Sequence, residues 1–318
     1  MAAVIAHVAP DAVLLTKIDY DHGLHALHAF ADLIRAQGHD LPHAFALRPN
    51  GGWRTGIDMT GDGRADTADD AQGYGAFAGA GGMAILSRLE LDAAAVRDFS
   101  GFLWRDLPGA RLPRVDGALY PSDAVFGIQR LSSTGHWDVP LRLPGGGRLS
   151  LLGFYASPPV FGGAHGRNRL RNHDEAMFWV HLLDGTLPMP APDGPFVLLG
   201  GSNLDPHDGD GKHAAMRRLL AHPRLQDPEP RSAGARVAAQ HPASLGHRGD
   251  PALDTTHWTR AIGPGNLRVD YVLPSADLTV RGAGVFWPAP DDPLVALLGP
   301  REDPPTRHRL VWVDIVPP

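Results

Sequence analysis

Arg268-Val269-Asp270-Tyr271-Val272-Leu273 and, further along, Thr306-Arg307-His308-Arg309-Leu310-Val311-Trp312 are the two segments from which the fold is read. The first is a short strand carrying one inward acid. The second is a polar turn holding a histidine that runs into another apolar strand. An Asp that orients a His is a recurring way to build a general base or a phosphate-binding imidazole. The pair gains weight from two further segments, Gly200-Gly201-Ser202-Asn203-Leu204-Asp205-Pro206 and Tyr155-Ala156-Ser157-Pro158-Pro159-Val160-Phe161. These supply Asn203 and Tyr155 as candidate partners of Asp270 and His308.

The chain has 318 residues, and no linker-like stretch divides it, so residues 1–318 are read as one domain. At 43% hydrophobic residues it can fill a sizeable core. A formal charge of −6 gives no electrostatic footprint for long nucleic acid. The absence of cysteine excludes disulfides and thiolate metal sites. No apolar run reaches the ~18 residues a spanning helix needs, so no membrane span is expected. The opening Met1-Ala2-Ala3-Val4-Ile5-Ala6-His7-Val8 carries no basic leader. Location therefore stays open: cytoplasmic by default, exported if the true start lies upstream.

Hydrophobic spacing predicts a helix over 1–8, a strand over 12–18 and a helix over 24–37 that stops at Gly38. A Gly- and Asp-rich loop fills 48–82. Strands are expected over 82–89, 125–131, 137–143 and 148–155, with Pro144-Gly145-Gly146-Gly147 as a hairpin turn. A helix over 172–183 would be capped by Asn172. A strand over 196–199, a helix over 214–221, a polar loop over 226–264 and strands over 267–273 and 309–316 follow. Strands and helices mix without strict alternation, which indicates an α+β layered domain.

In order and spacing, these segments resemble the endonuclease/exonuclease/phosphatase family, in a bacterial branch of it. The resemblance rests on Asp19-Tyr20-Asp21, the loop from Thr55-Gly56-Ile57-Asp58 to Gly73-Tyr74-Gly75, and Gly82-Met83-Ala84-Ile85-Leu86-Ser87-Arg88. It continues through Arg130-Leu131-Ser132-Ser133-Thr134-Gly135-His136-Trp137, Ser157 to Phe161, and Arg167-Asn168-Arg169-Leu170-Arg171-Asn172-His173-Asp174-Glu175. The segments around Asn203, Asp270 and His308 complete it. The resemblance implies a four-layer α/β/β/α sandwich of two mixed β-sheets, here lacking the first strand. It also implies phosphoester hydrolysis with Mg²⁺.

Residue by residue, it assigns Asn203 as a ligand-positioning amide, and His308, oriented by Asp270, as the group that stabilises phosphoryl charge. Tyr155 stands where a hydrogen-bond donor is expected. Three positions depart from the family pattern: Lys17 replaces the metal-binding Glu, Gly201 the water-activating Asp, and Arg307 the Asp before the final His. Asp19, two residues beyond Lys17, is the candidate that replaces a Mg²⁺ ligand, with Asp205 as a further one.

A separate signal comes from the residues alone. Asp58, Thr60, Asp62, Arg64 through its carbonyl, Asp66 and Asp69, with Gly63 at the sixth place, have the spacing of a calcium loop. A structural Ca²⁺ is expected there. Two functions follow. One is a metal-dependent phosphodiester or phosphomonoester hydrolase with weak or altered activity. The other is a catalytically degenerate relative in which Lys17 and Arg307 bind an anion directly. Its partner would be a phosphate-bearing small molecule or nucleic acid.

Overall fold

In the computed structural model, residues 1–258, 263–300 and 304–317 are described. The strands are β1 (Ala12–Ile18), β2 (His43–Phe45), β3 (Gly82–Ser87), β4 (Arg97–Asp98), β5 (Arg114–Val115), β6 (Ala118–Leu119), β7 (Gly135–Arg142), β8 (Arg148–Tyr155), β9 (Phe196–Gly201), β10 (Asp270–Pro274), β11 (Thr279–Val285) and β12 (Val311–Val316). The helices are α1 (Ala2–Val8), α2 (His25–Ala36), α3 (Asp123–Ile128), α4 (Arg167–Leu183), α5 (Ala214–Leu220) and α6 (Ala233–Ala238).

Two sheets form the centre. One is antiparallel, in the order β1-β3-β2; the other is mixed, in the order β10-β9-β8-β7-β4, with β8 and β9 parallel. Strand alternation sorts the side chains into layers. On β3, Ala84 and Leu86 face outward and pack with Ile5, Leu27 and Ile34 of α1 and α2. Met83 and Ile85 face inward and meet Trp137, Val139, Leu151 and Val197 of the second sheet. Beyond that sheet, Leu152 and Phe154 pack against Phe178, Trp179, Met216 and Leu219 of α4 and α5. The result is α/β/β/α. β11 and β12 form a separate antiparallel pair, from which Ile315 reaches the core between the sheets.

Three expectations are corrected. Residues 123–128 form a helix where a strand was expected. Ser122 caps it by accepting from Val125 N at 3.3 Å, and Val125 and Phe126 are both buried. The helix expected to start at Asn172 starts at Arg167, which places Asn172, Asp174 and Glu175 inside it rather than in its first turn. One central sheet, not both, is mixed in the described residues.

Candidate active site

The site is organised along one row of the second sheet. Tyr155 of β8 pairs with Gly201 of β9, and Gly201 pairs with Asp270 of β10. A Cβ on Gly201 would lie 2.7 Å from Tyr155 Cε2 and 3.2 Å from Asp270 Oδ1. The ring and the carboxylate therefore lean together over the bare glycine. Gly201→Ala is expected to cost about 1–3 kcal/mol by overpacking, and a denaturant titration would measure it. Beyond the strand end Asn203 adopts a left-handed conformation with φ of 50°. Its amide donates to the Ala156 carbonyl at 2.7 Å, holding it beside the end of β8. Burial pushes the Tyr155 phenol up to about 12, against a hydrogen bond from Asn203 that lowers it, so Tyr155 stays protonated near neutrality and can donate.

Asp270 and His308 meet as the sequence indicates. His308 Nδ1 lies 2.8 Å from Asp270 Oδ2 and 3.1 Å from Oδ1. A third member was missed: buried Thr255 donates from Oγ1 to Asp270 Oδ2 at 2.9 Å and accepts from the Asp270 amide at 3.1 Å. With both carboxylate oxygens engaged, the His308 Nδ1–H is fixed on Asp270, and Nε2 makes no hydrogen bond to a described residue. Burial pulls the imidazole pKa down, but the Asp270 charge and hydrogen bond outweigh it, and the net shift is upward from 6.5. Trp258 packs edge-on against the ring at 5.5 Å.

Lys17 joins this group from the facing sheet. The register of β1 against β3 slips between Thr16 and Ile18, and Lys17 between them has φ of 60°. Its stem passes the Gly81 backbone, and Nζ comes 4.9 Å from the centroid of the Tyr155 ring. The residue as a whole is exposed, yet surrounding protein desolvates the ammonium and lowers its pKa from 10.5. The charge also bears on His308, whose protonated form it opposes. Arg307 is placed differently. Its carbonyl accepts from His257 N at 2.8 Å; burial lowers the His257 pKa, and the charges of Arg309 and Arg307 add to that.

Helix α4 holds the strand ends in place. Asn172 donates to the carbonyls of Ser157 and Ser202, each at 2.7 Å, instead of capping the helix. Glu175 accepts from the amide and hydroxyl of both Ser133 and Ser157, and Arg171 donates to the carbonyls of Gln72, Arg130, Leu131 and Ser132. These bonds tie the segments that carry Tyr155 and Asn203 to one buried face of the helix.

The Mg²⁺ implied by the resemblance does not fit the residues present. Among the described residues no three His, Asp or Glu side chains converge as metal ligands. The carboxylate of Asp19 accepts from Gly81 N at 2.8 Å and fastens the turn beside β1. Asp205 is occupied by the amides of His207, Asp208 and Arg268 at 2.7, 2.9 and 2.8 Å. Gly201 leaves no room for the missing acid, and Lys17 places a cation against Tyr155. A nearby positive charge opposes metal binding, and Mg²⁺ needs direct carboxylates.

In the loop read as a calcium site, two of the acids accept from backbone amides of the turn. Asp58 accepts from the amides of Thr60, Gly61 and Gly63, and Asp62 from that of Arg64. Among the described residues no three His, Asp or Glu side chains group as metal ligands; the Thr60 hydroxyl, the Arg64 carbonyl, Asp66 and Asp69 are the other expected ligands. The anchor of this loop is buried Asp70, which was not in the expected set and accepts from Met59 N and from the amide and hydroxyl of Thr67.

A family model described as Endonuclease/Exonuclease/phosphatase family matches residues 1–308. An endonuclease/exonuclease/phosphatase structure from Beutenbergia cavernae DSM 12333 is similar over 99% of this chain, with 18% identity and a TM-score of 0.54; this chain spans 64% of that one. A 3'-5' exonuclease from Neisseria meningitidis aligns over 98% of this chain and 91% of its own, with 16% identity and a TM-score of 0.49. A mannosyl-6-phosphatase from Bacteroides thetaiotaomicron VPI-5482 aligns over 99% and 90%, with 13% identity and a TM-score of 0.49. At such identities the first likeness is one of fold. No curated protein matches the chain.

Proposed function

Because the chain belongs to the endonuclease/exonuclease/phosphatase family, we propose that its cleft receives a phosphoester and grips the phosphoryl oxygens with the Lys17 ammonium and the His308 imidazolium. The observation that carries this reading is the ammonium of Lys17 at 4.9 Å from the Tyr155 ring centroid, beside the Asp270–His308 pair. Two cationic donors supply the charge that a divalent ion supplies in metal-dependent members. Tyr155, kept as a phenol, and Asn203 add neutral donors. Binding is the primary activity in this reading, and hydrolysis is weak or altered. Arg307, beside His257, assists from outside the immediate contact set.

The pH profile of binding tests it. A phosphodiester such as dimethyl phosphate keeps one negative charge across the range, so only the protein titrates. His308 is raised above 6.5, so its contribution is complete below that pH and is lost as pH rises through the elevated value. Lys17 is lowered from 10.5, so a second fall comes below that pH. The charges facing His308 are Asp270, Lys17 and Arg309. Asp270→Asn removes the raising influence and leaves burial, which moves the first fall below 6.5. An affinity flat from pH 5 to 10 would reject the proposed contacts.

A second reading is favoured by the Thr255–Asp270–His308 arrangement, which fixes an imidazole edge as hydrolysis requires. Its upward shift suits charge stabilisation better than proton abstraction from water. Release of 4-nitrophenol from a generic phosphodiester, followed with and without Mg²⁺ or Mn²⁺, separates the readings. The binding reading expects neither ion to raise the melting temperature or the rate. Ion-dependent turnover removed by His308→Ala would establish the hydrolase instead.

A further inference from the structure

On the helical side of the five-stranded sheet, and sharing no residue with the cleft, a cavity of about 310 Å³ opens between α4, the start of α5 and the loop before β5. Its ionisable lining is His173, Arg111, Lys212, His213 and Arg217, and among the described residues no acid lines it. This reverses the balance of a chain with 35 acidic against 29 basic residues.

His173 is 7% exposed, and its Nδ1 lies 2.7 Å from Asp174 Oδ1. The other oxygen of Asp174 accepts from Trp104 Nε1 at 2.7 Å and from Arg111 N at 2.6 Å. That carboxylate is thereby committed, and the imidazole is fixed with Nδ1–H on Asp174. Nε2 makes no hydrogen bond to a described residue, and His173 is part of the cavity lining. His213 repeats the arrangement, with Nδ1 2.9 Å from the Asp205 carbonyl. Arg217 spends one N–H on the Pro206 carbonyl at 2.7 Å and keeps its remaining donors. The imidazole Nε2, an acceptor in the neutral ring and a donor in the protonated one, stands on a wall it shares with three cationic side chains. A hydrogen phosphate would satisfy it, because its oxygens accept charge-assisted bonds from the cations and its hydroxyl can donate to a neutral imidazole nitrogen.

We propose that this cavity is a second anion site, taking inorganic phosphate or the phosphoryl end of a small molecule. It does not depend on how the cleft is read.

Titration calorimetry of inorganic phosphate into the Lys17→Ala protein separates cavity from cleft. Saturable binding is expected to persist in that variant. Adding Arg111→Ala and Lys212→Ala should weaken it at least about tenfold, the scale of one charge-assisted hydrogen bond. Neither side chain is hydrogen-bonded to a described residue, so the fold should tolerate both changes. His173→Gln is the second probe, and the His173 Nε2 resonance should shift on adding phosphate to the Lys17→Ala protein. Isotherms that superpose with and without these replacements would overturn the proposal. So would loss of all phosphate binding in Lys17→Ala alone, a result that leaves the cleft reading standing. Unchanged total binding between wild type and Lys17→Ala would count against the cleft and not against the cavity.

Discussion

Arg171→Ala should lower the melting temperature by on the order of 10 °C. The guanidinium is 3% exposed and donates to four carbonyls, with distances from 2.6 to 3.0 Å. One helical turn on, Glu175 is fully buried and accepts four bonds from Ser133 and Ser157. Burial pushes the glutamate pKa up and the arginine pKa down, and each charge partly restores the other. Removing the arginine takes a donor from four carbonyls, of which, among the described residues, only that of Ser132 keeps a second side-chain donor, Asn50, and takes a nearby positive charge from a buried carboxylate. Breaking such a buried pair costs about 3–5 kcal/mol, and each kcal/mol moves a domain of this class by roughly 2–4 °C. Arg171→Met keeps much of the volume and should lose nearly as much, which separates charge and hydrogen bonding from packing. Calorimetric melting of both variants is the measurement; shifts below a few degrees would mean that the helix is not the staple it looks to be.

Lys17→Ala should weaken phosphodiester binding by roughly 10- to 100-fold, the range of a charge-assisted hydrogen bond worth ~1.5–3 kcal/mol. Lys17→Met keeps the stem along Gly81 and should lose as much, because the lost element is the charge. Wild-type affinity should also fall more steeply with salt than that of Lys17→Met, since the missing attraction is the part that salt screens. Calorimetry at two ionic strengths reads both effects. Equal affinities for wild type and Lys17→Met would remove the ammonium from the binding surface.

Much of the frame was legible because burial writes a simple pattern. Residues 148–155 alternate between the inner and outer faces of a covered sheet, and the expected strand matches β8 residue for residue. The Asp270–His308 pair was legible for the same reason, since a lone acid in a buried strand needs a partner. Thr255 was not, because it lies in a polar stretch with no period and acts through a fold contact with Asp270. β11 was hidden by the glycines of Thr279-Val280-Arg281-Gly282-Ala283-Gly284-Val285, which dilute any apolar alternation. Arg171 lay before the expected helix and Glu175 in its first turn, and only the tertiary structure buries them. Asp19 was expected as a Mg²⁺ ligand because alternation was carried through Lys17. The irregularity at Lys17 ends the strand at Ile18, and Asp19 turns to Gly81 N.

The slip in β1 that brings Lys17 to Tyr155 has one more consequence. A charge covalently attached to the chain, unlike a bound metal ion, has no ion-dissociation constant. Chelators cannot strip it, and it cannot be diluted away or exchanged for a competing ion. Treatment with EDTA should leave ligand affinity untouched, and the occupancy of this cation depends on proton concentration alone.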